Sequence, residues 1–212
     1  MEAKLRSFGV VPVVAVEDVK HALPLADALI AGGLPLAEVT FRTRAAAEVM
    51  QILRDERPEM LVGAGTVLTP DQVRSAKDCG AAFAVAPGLN GEVVRAAHDV
   101  DLPFFPGVMT PTDIEKALGL GCRQLKFFPA GAAGGVPMLK ALAAPYAHLG
   151  VKFMPTGGVK TDNLAEYLAV PQVTAVGGTW IASTAAMNAG DWAGITQRAR
   201  EALEIAKRRI QK

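Results

Sequence analysis

A lysine stands in the middle of an apolar run. The stretch QLKFFPAG, residues 124–131, reads as a short strand in which Leu125, Phe127 and Phe128 flank Lys126. An ammonium group inside a protein is costly unless it is paired or loses its proton. A neutral amine in a pocket attacks carbonyl carbons and condenses with them to a Schiff base. A second stretch, EVTFR, carries Glu38, Thr40 and Arg42 at every other position. In a strand, that spacing turns all three to one face and sends Val39 and Phe41 to the other. On a shared interior, Glu38 would move protons for chemistry at Lys126. Two bland alternatives stand beside this one: a structural Glu38–Arg42 pair, and a lysine that snorkels or is held in a buried ion pair. Of the ten lysines, only Lys152 also falls in a strand-like run, and it opens that run, where a solvated rim position suffices.

Other residues at the ends of strand-like runs suit a small anionic substrate. Thr66 ends GAGT, and its spacing from Val62 and Ala64 directs it inward. The runs APG and FPG end two further strands. PTGG (155–158) and GGT (177–179) place glycine pairs after the last two, leaving backbone N–H groups open to an anion such as phosphate. The three histidines, His21, His98 and His148, fall in helical patterns, and no His/Asp/Glu cluster has ligand spacing. The expectation is therefore no metal and no cofactor. No Ser-His-Asp arrangement has a candidate.

The chain that must position these groups alternates between two patterns. Short β-rich runs occur at 10–16, 36–42, 60–67, 81–88, 103–108, 124–130, 152–158 and 173–179. Longer helical patterns lie between them. Thr69-Pro70 and Thr110-Pro111 each have the form of an N-cap followed by proline at the first helical position. Asp191 is a candidate cap for the last helix. Strict alternation implies parallel strands joined by right-handed crossovers. Eight such units predict a single-domain (β/α)8 TIM barrel spanning residues 1–212, with residues 1–9 as a helix closing the barrel bottom. An open doubly wound sheet would need a glycine-rich loop after the first strand. VVAVEDVK offers none.

Composition narrows the partners. With 22 basic and 21 acidic residues, the net charge of +1 leaves no basic stripe for a nucleic acid. The cluster Lys207-Arg208-Arg209 suits the C-terminal end of a helix. No apolar run approaches a membrane span, and MEAKLRSFG lacks the apolar core of a signal peptide. Cys79 and Cys122 read as reduced packing residues. A cytoplasmic protein without membrane or nucleic-acid partners is expected.

Taken together, EVTFRT, GAGTVL, APGL, KFFPA, PTGG and GGTW occur in the order seen in one family. The chain resembles the 2-keto-3-deoxy-6-phosphogluconate (KDPG) aldolases, which often also act as 4-hydroxy-2-oxoglutarate (KHG) aldolases, over nearly its whole length. The resemblance implies a class I aldolase of carbohydrate metabolism, in the Entner-Doudoroff pathway, that assembles as a homotrimer. It implies that Lys126 forms the Schiff base, Glu38 is the general acid and base, and Arg42 binds the pyruvate carboxylate. Thr66 would help hold that carboxylate, with Pro87 lining the pocket. Thr156 would contact substrate hydroxyls, and Gly157, Gly158, Gly178 and Thr179 would bind phosphate. Many members carry serine where this chain has Thr179, and both residues offer a hydroxyl. Members acting on 2-dehydro-3-deoxy-6-phosphogalactonate tend to carry valine in place of Thr156, so Thr156 favours the gluconate type.

Two rivals use the same barrel differently. A sugar-phosphate isomerase or epimerase would use Glu38 as a base without a Schiff base. A non-catalytic metabolite-binding barrel would hold Lys126 and Glu38 as a stable pair.

Overall fold

In the computed structural model, which describes residues 1–210, the β-rich runs become short parallel strands and the segments between them become helices. The strands are β1 (Val10–Val14), β2 (Leu36–Thr40), β3 (Leu61–Gly65), β4 (Phe83–Val85), β5 (Phe104–Phe105), β6 (Gly107–Val108), β7 (Gln124–Phe127), β8 (Lys152–Pro155) and β9 (Val176–Gly178). The helices are α1 (Glu2–Phe8), α2 (Ala22–Ala31), α3 (Ala46–Glu56), α4 (Pro70–Asp78), α5 (Gly91–Asp99), α6 (Pro111–Gly119), α7 (Gly135–Ala143), α8 (Leu164–Leu168), α9 (Thr184–Asn188) and α10 (Trp192–Ile210). The last two residues of the expected 1–212 domain, and the side chain of Arg209 in the cationic cluster, lie outside the described residues.

The result is an α/β fold with a curled parallel sheet. One sheet has six strands in the order β5-β4-β3-β2-β1-β9, and the other has three in the order β6-β7-β8. Sequence periodicity predicts eight continuous strands in one barrel sheet; among the described residues there are nine strands in two sheets. The ninth strand, and one of the two breaks between the sheets, arises at Pro106. The run expected at 103–108 breaks there into β5, which pairs with β4, and β6, which pairs with β7. Proline has no N–H to give a ladder, although the Pro106 carbonyl still accepts from Lys126 N at 2.9 Å. Isolated parallel bridges, Phe153↔Val173 and Thr156↔Gly177, connect the β8 region to the β9 region.

The helix starts follow local chemistry. Thr69 caps α4 through Gln72 N, with Pro70 in the first turn. Thr110 and Asp113 form a reciprocal capping box on α6. Asp191 accepts from Gly194 N at the start of α10. Burial completes the arrangement. Phe83, Phe127 and Phe153 are fully buried, and α10 packs against α2 and α8. Helix α1 buries Leu5, and Glu2 accepts from Gln124 Nε2 at 2.6 Å at the first residue of β7. It therefore lies against the N-terminal ends of the strands, the end opposite to the loops that carry the polar residues.

Candidate active site

Lys126 lies on β7 between Gly107 of β6 and Met154 of β8. Glu38 lies at the centre of β2, opposite Val13 of β1 and Gly63 of β3. The two side chains meet in the interior, with Lys126 Nζ 3.1 Å from Glu38 Oε1. Lys126 is 5% exposed and Glu38 is 0% exposed. Glu38 Oε2 is buried and has no protein partner among the described residues. The Phe128 ring lies beside the amine, its centroid 5.7 Å from Nζ.

Space for the carboxylate comes from β3. A Cβ at Gly65 would strike Glu38 Oε1 and come within 2.9 Å of Thr40 Cγ2. A Cβ at Gly63 would run into the Phe83 ring. These two glycines therefore face the interior, and Val62 and Ala64 face the helices. That corrects the register inferred for Thr66, since spacing from Val62 and Ala64 would have turned it outward. Thr66 reaches the cavity because its backbone leaves the strand with φ +56°. β-Branched residues rarely adopt that conformation.

Arg42 follows the end of β2 and is exposed. Its Nε donates to Thr40 Oγ1 at 3.3 Å, and Thr40 Oγ1 donates to the Val14 carbonyl at 2.9 Å. No carboxylate pairs with Arg42 among the described residues. Across the opening, Gly157 and Gly158 take φ of +92° and +78°, which suits glycine. The N–H groups of Gly158 and Thr179 meet no protein acceptor among the described residues. Thr156 is 4% exposed and its hydroxyl donates to the Met154 carbonyl at 3.4 Å.

These groups surround one cavity of about 310 Å³ at the C-terminal ends of the strands. Its wall includes each residue singled out from the sequence: Lys126, Glu38, Arg42, Thr66, Pro87, Thr156, Gly157, Gly158, Gly178 and Thr179. It also includes Val13, Thr40, Phe128 and Val159, which were given no role in the site, and Gly177, named only within the GGT pair. Thr40 had a signal, its place between Glu38 and Arg42 on one strand face. Phe128 stood within the KFFPA motif, but an apolar side chain carries no mark of which face it lines. Among the described residues, no three His, Cys, Asp or Glu side chains gather as a metal site requires. No helix there is long and apolar enough to cross a membrane.

A buried lysine and carboxylate on two parallel strands, facing one cavity at the strands' C-terminal side, make this an α/β enzyme. The chain belongs to the KDPG and KHG aldolase family, whose model matches residues 1–198, and it is a carbon–carbon lyase. It is 47% identical to the 2-dehydro-3-deoxy-phosphogluconate aldolase of Haemophilus influenzae, an alignment covering 96% of this chain and 95% of the relative. It is 43% identical to the KHG/KDPG aldolase of Escherichia coli K12, covering 97% and 96%. Among solved structures, it resembles the KDPG aldolase of Legionella pneumophila with pyruvate captured at low pH as a covalent carbinolamine. That match has a TM-score of 0.90 and 41% identity, over 94% of this chain and 96% of the other.

Proposed function

We propose that this chain is a class I aldolase that cleaves KDPG to pyruvate and glyceraldehyde 3-phosphate, with Lys126 as the Schiff-base residue. The observation that carries this is the Lys126–Glu38 pair, 3.1 Å apart and buried at the wall of the cavity. The pyruvate carbinolamine of the Legionella relative is the species expected when such a lysine attacks a 2-oxo acid. The name of the Escherichia coli relative supports a second substrate, 4-hydroxy-2-oxoglutarate, cleaved to pyruvate and glyoxylate.

The placement of the groups supports the following chemistry. The Lys126 amine, having released a proton to solvent, adds to the C2 ketone, and the carbinolamine hydroxyl leaves as water with a proton taken up from solvent, giving an iminium. Glu38, directly or through a water, removes the C4 hydroxyl proton. As the C3–C4 bond breaks, its electrons move onto the iminium nitrogen and leave an enamine. Glyceraldehyde 3-phosphate departs with the new carbonyl. Glu38 returns its proton to C3, and hydrolysis releases pyruvate and restores the amine. Arg42 and Thr66 hold the carboxylate end, with Pro87 against the pyruvyl group and Thr156 toward the substrate hydroxyls. The backbone at Gly157, Gly158, Gly178 and Thr179 receives the phosphate. Fixing both ends supplies orientation, a large part of catalysis in two-ended substrates.

The same reading includes one domain over residues 1–212, a cytoplasmic location and a homotrimer. It also includes closure of the strands into one (β/α)8 barrel. Support for closure comes from the five-residue run Phe104–Val108, whose two halves pair with β4 and β7, and from the Thr156↔Gly177 bridge at the opposite seam.

Borohydride reduction in the presence of pyruvate, followed by peptide mass mapping, tests the mechanism. A stable pyruvyl adduct is expected on Lys126 and absent from Lys126→Ala. Folded protein that gives no adduct with ample pyruvate would remove the Schiff-base mechanism.

A further inference from the structure

We propose that Thr40 is a positioning residue that aims the Arg42 guanidinium at the substrate carboxylate; this rests on the aldolase reading above. Thr40 is 1% exposed, ends β2 and is β-branched, so its side chain is rigidly held. Its methyl group lies toward the space beside Gly65, where a Cβ would come within 2.9 Å of Cγ2. Its hydroxyl has a single proton, and that proton is given to the Val14 carbonyl at 2.9 Å. Toward the cavity the oxygen is therefore an acceptor only. It accepts from Arg42 Nε at 3.3 Å.

The consequence lies in which edge of the guanidinium remains. An arginine presents donors along two edges, Nε with one terminal nitrogen, or the two terminal nitrogens together. With Nε engaged by Thr40, the Nη1/Nη2 edge is left for a two-oxygen anion. Arg42 is exposed and lies outside the strand ladder, so without an anchor its long side chain would sample many rotamers. Phe41, between Thr40 and Arg42, adds stiffness, since its N donates to the Gly65 carbonyl at 2.8 Å. Thr40 therefore links the β1–β2 framework to the guanidinium aimed at the carboxylate. It acts on substrate binding and has no part in the bond-breaking step.

Steady-state kinetics and pyruvate-dependent borohydride trapping on three variants test this. Thr40→Val keeps the shape and removes the hydroxyl. KM for the 2-oxo acid, and the pyruvate concentration giving half-maximal trapping, should rise about tenfold, as for loss of one hydrogen bond to a charged group. The value of kcat should stay within about twofold. Thr40→Ser keeps the hydroxyl and should hold KM within about twofold of the parent. In an Arg42→Ala background, Thr40→Val should add less than about twofold, because its effect passes through Arg42. If Thr40→Val does not fold, Thr40→Ala reads the same loss of the hydroxyl. An unchanged KM without the hydroxyl, equal damage from the serine variant, or a full additional effect without Arg42 would each overturn the proposal. With the parent trapped on Lys126, those results remove only the role of Thr40. A parent that is never trapped removes the aldolase reading and this inference together.

Discussion

Lys126 Nζ stands 3.1 Å from Glu38 Oε1, although the two are 88 positions apart in the chain and neither side chain is more than 6% exposed. A buried pair of this kind contributes little net stability, because two charges must leave water to form it. Breaking it by removing one partner typically costs about 3–5 kcal/mol, since the other charge stays buried. Its energetic burden is consistent with a chemical role.

Glu38→Gln separates the steps in which the pair takes part. The amide oxygen can still accept from Lys126, so the amine should keep its place. Capture of pyruvate by borohydride should persist, while turnover falls by about 10²–10⁴, the usual worth of a positioned acid–base group. Comparing the trapped fraction with single-turnover cleavage measures the split. Undiminished turnover would rule Glu38 out as the proton carrier.

Gly65→Ala tests the same pair from its neighbour. The new Cβ would strike Glu38 Oε1 and crowd Thr40 Cγ2, so the carboxylate must move away from the amine. Overpacking here should cost about 1–3 kcal/mol of stability. Cleavage should fall on the order of a hundredfold as the proton transfer loses its geometry. Thermal unfolding and steady-state assays read the two effects separately. A folded alanine variant with full activity would show that the carboxylate position tolerates movement.

Much of the site was legible in the sequence because polar residues in β-runs break the apolar pattern. Lys126 and the Glu38–Thr40–Arg42 alternation announce themselves in this way. Thr66 was placed in the site by an incorrect register. The inward face of β3 is occupied by glycines, which leave no side chain to reveal it, and a positive φ then redirects the threonine. The break at Pro106 was present in the letters, but the reassignment of its two halves to different neighbours depends on pairing partners far along the chain. The helix starts differ in how clearly the letters mark them. Helix α5 carries a signal, Asn90 accepting from Glu92 N, whereas α7 starts after Gly134 with no side-chain cap.

The cysteines should be bystanders. Burial pushes the Cys122 thiol up to about 11, and burial also raises that of Cys79, where a hydrogen bond with Ser75 works in the opposite direction. At pH 8 very little of the Cys122 thiol is thiolate, the form that alkylates. Iodoacetamide should therefore label Cys122 in the folded protein about a hundredfold more slowly than a free thiol, judged from thiolate fraction alone. Mass spectrometry over a time course would check this. Rapid labelling of Cys122 in protein that remains folded would contradict its burial.

Asp113 should give stability a sign-specific dependence on acid. Burial alone would raise its carboxyl, but bonds to Oδ2 from Met109 N, Thr110 N and the Thr110 hydroxyl outweigh that and hold it below the ordinary carboxylate range. A group depressed in the folded state stabilises above its unfolded pKa, near ~3.9, and loses that contribution as pH falls through the folded value. At pH 7, Asp113→Asn should lower stability by about 1 kcal/mol, the scale of a helix-capping interaction. In a chain of this size that corresponds to about 2–4 °C in Tm. The difference between parent and variant should stay constant from neutral pH down to about pH 5, then shrink toward zero as the parent carboxyl is protonated. Thermal melts across that range decide the matter. A gap that persists unchanged below the folded pKa would assign the effect to shape, and the charge on Asp113 would have no part in holding the start of α6 against the Met109–Thr110 turn.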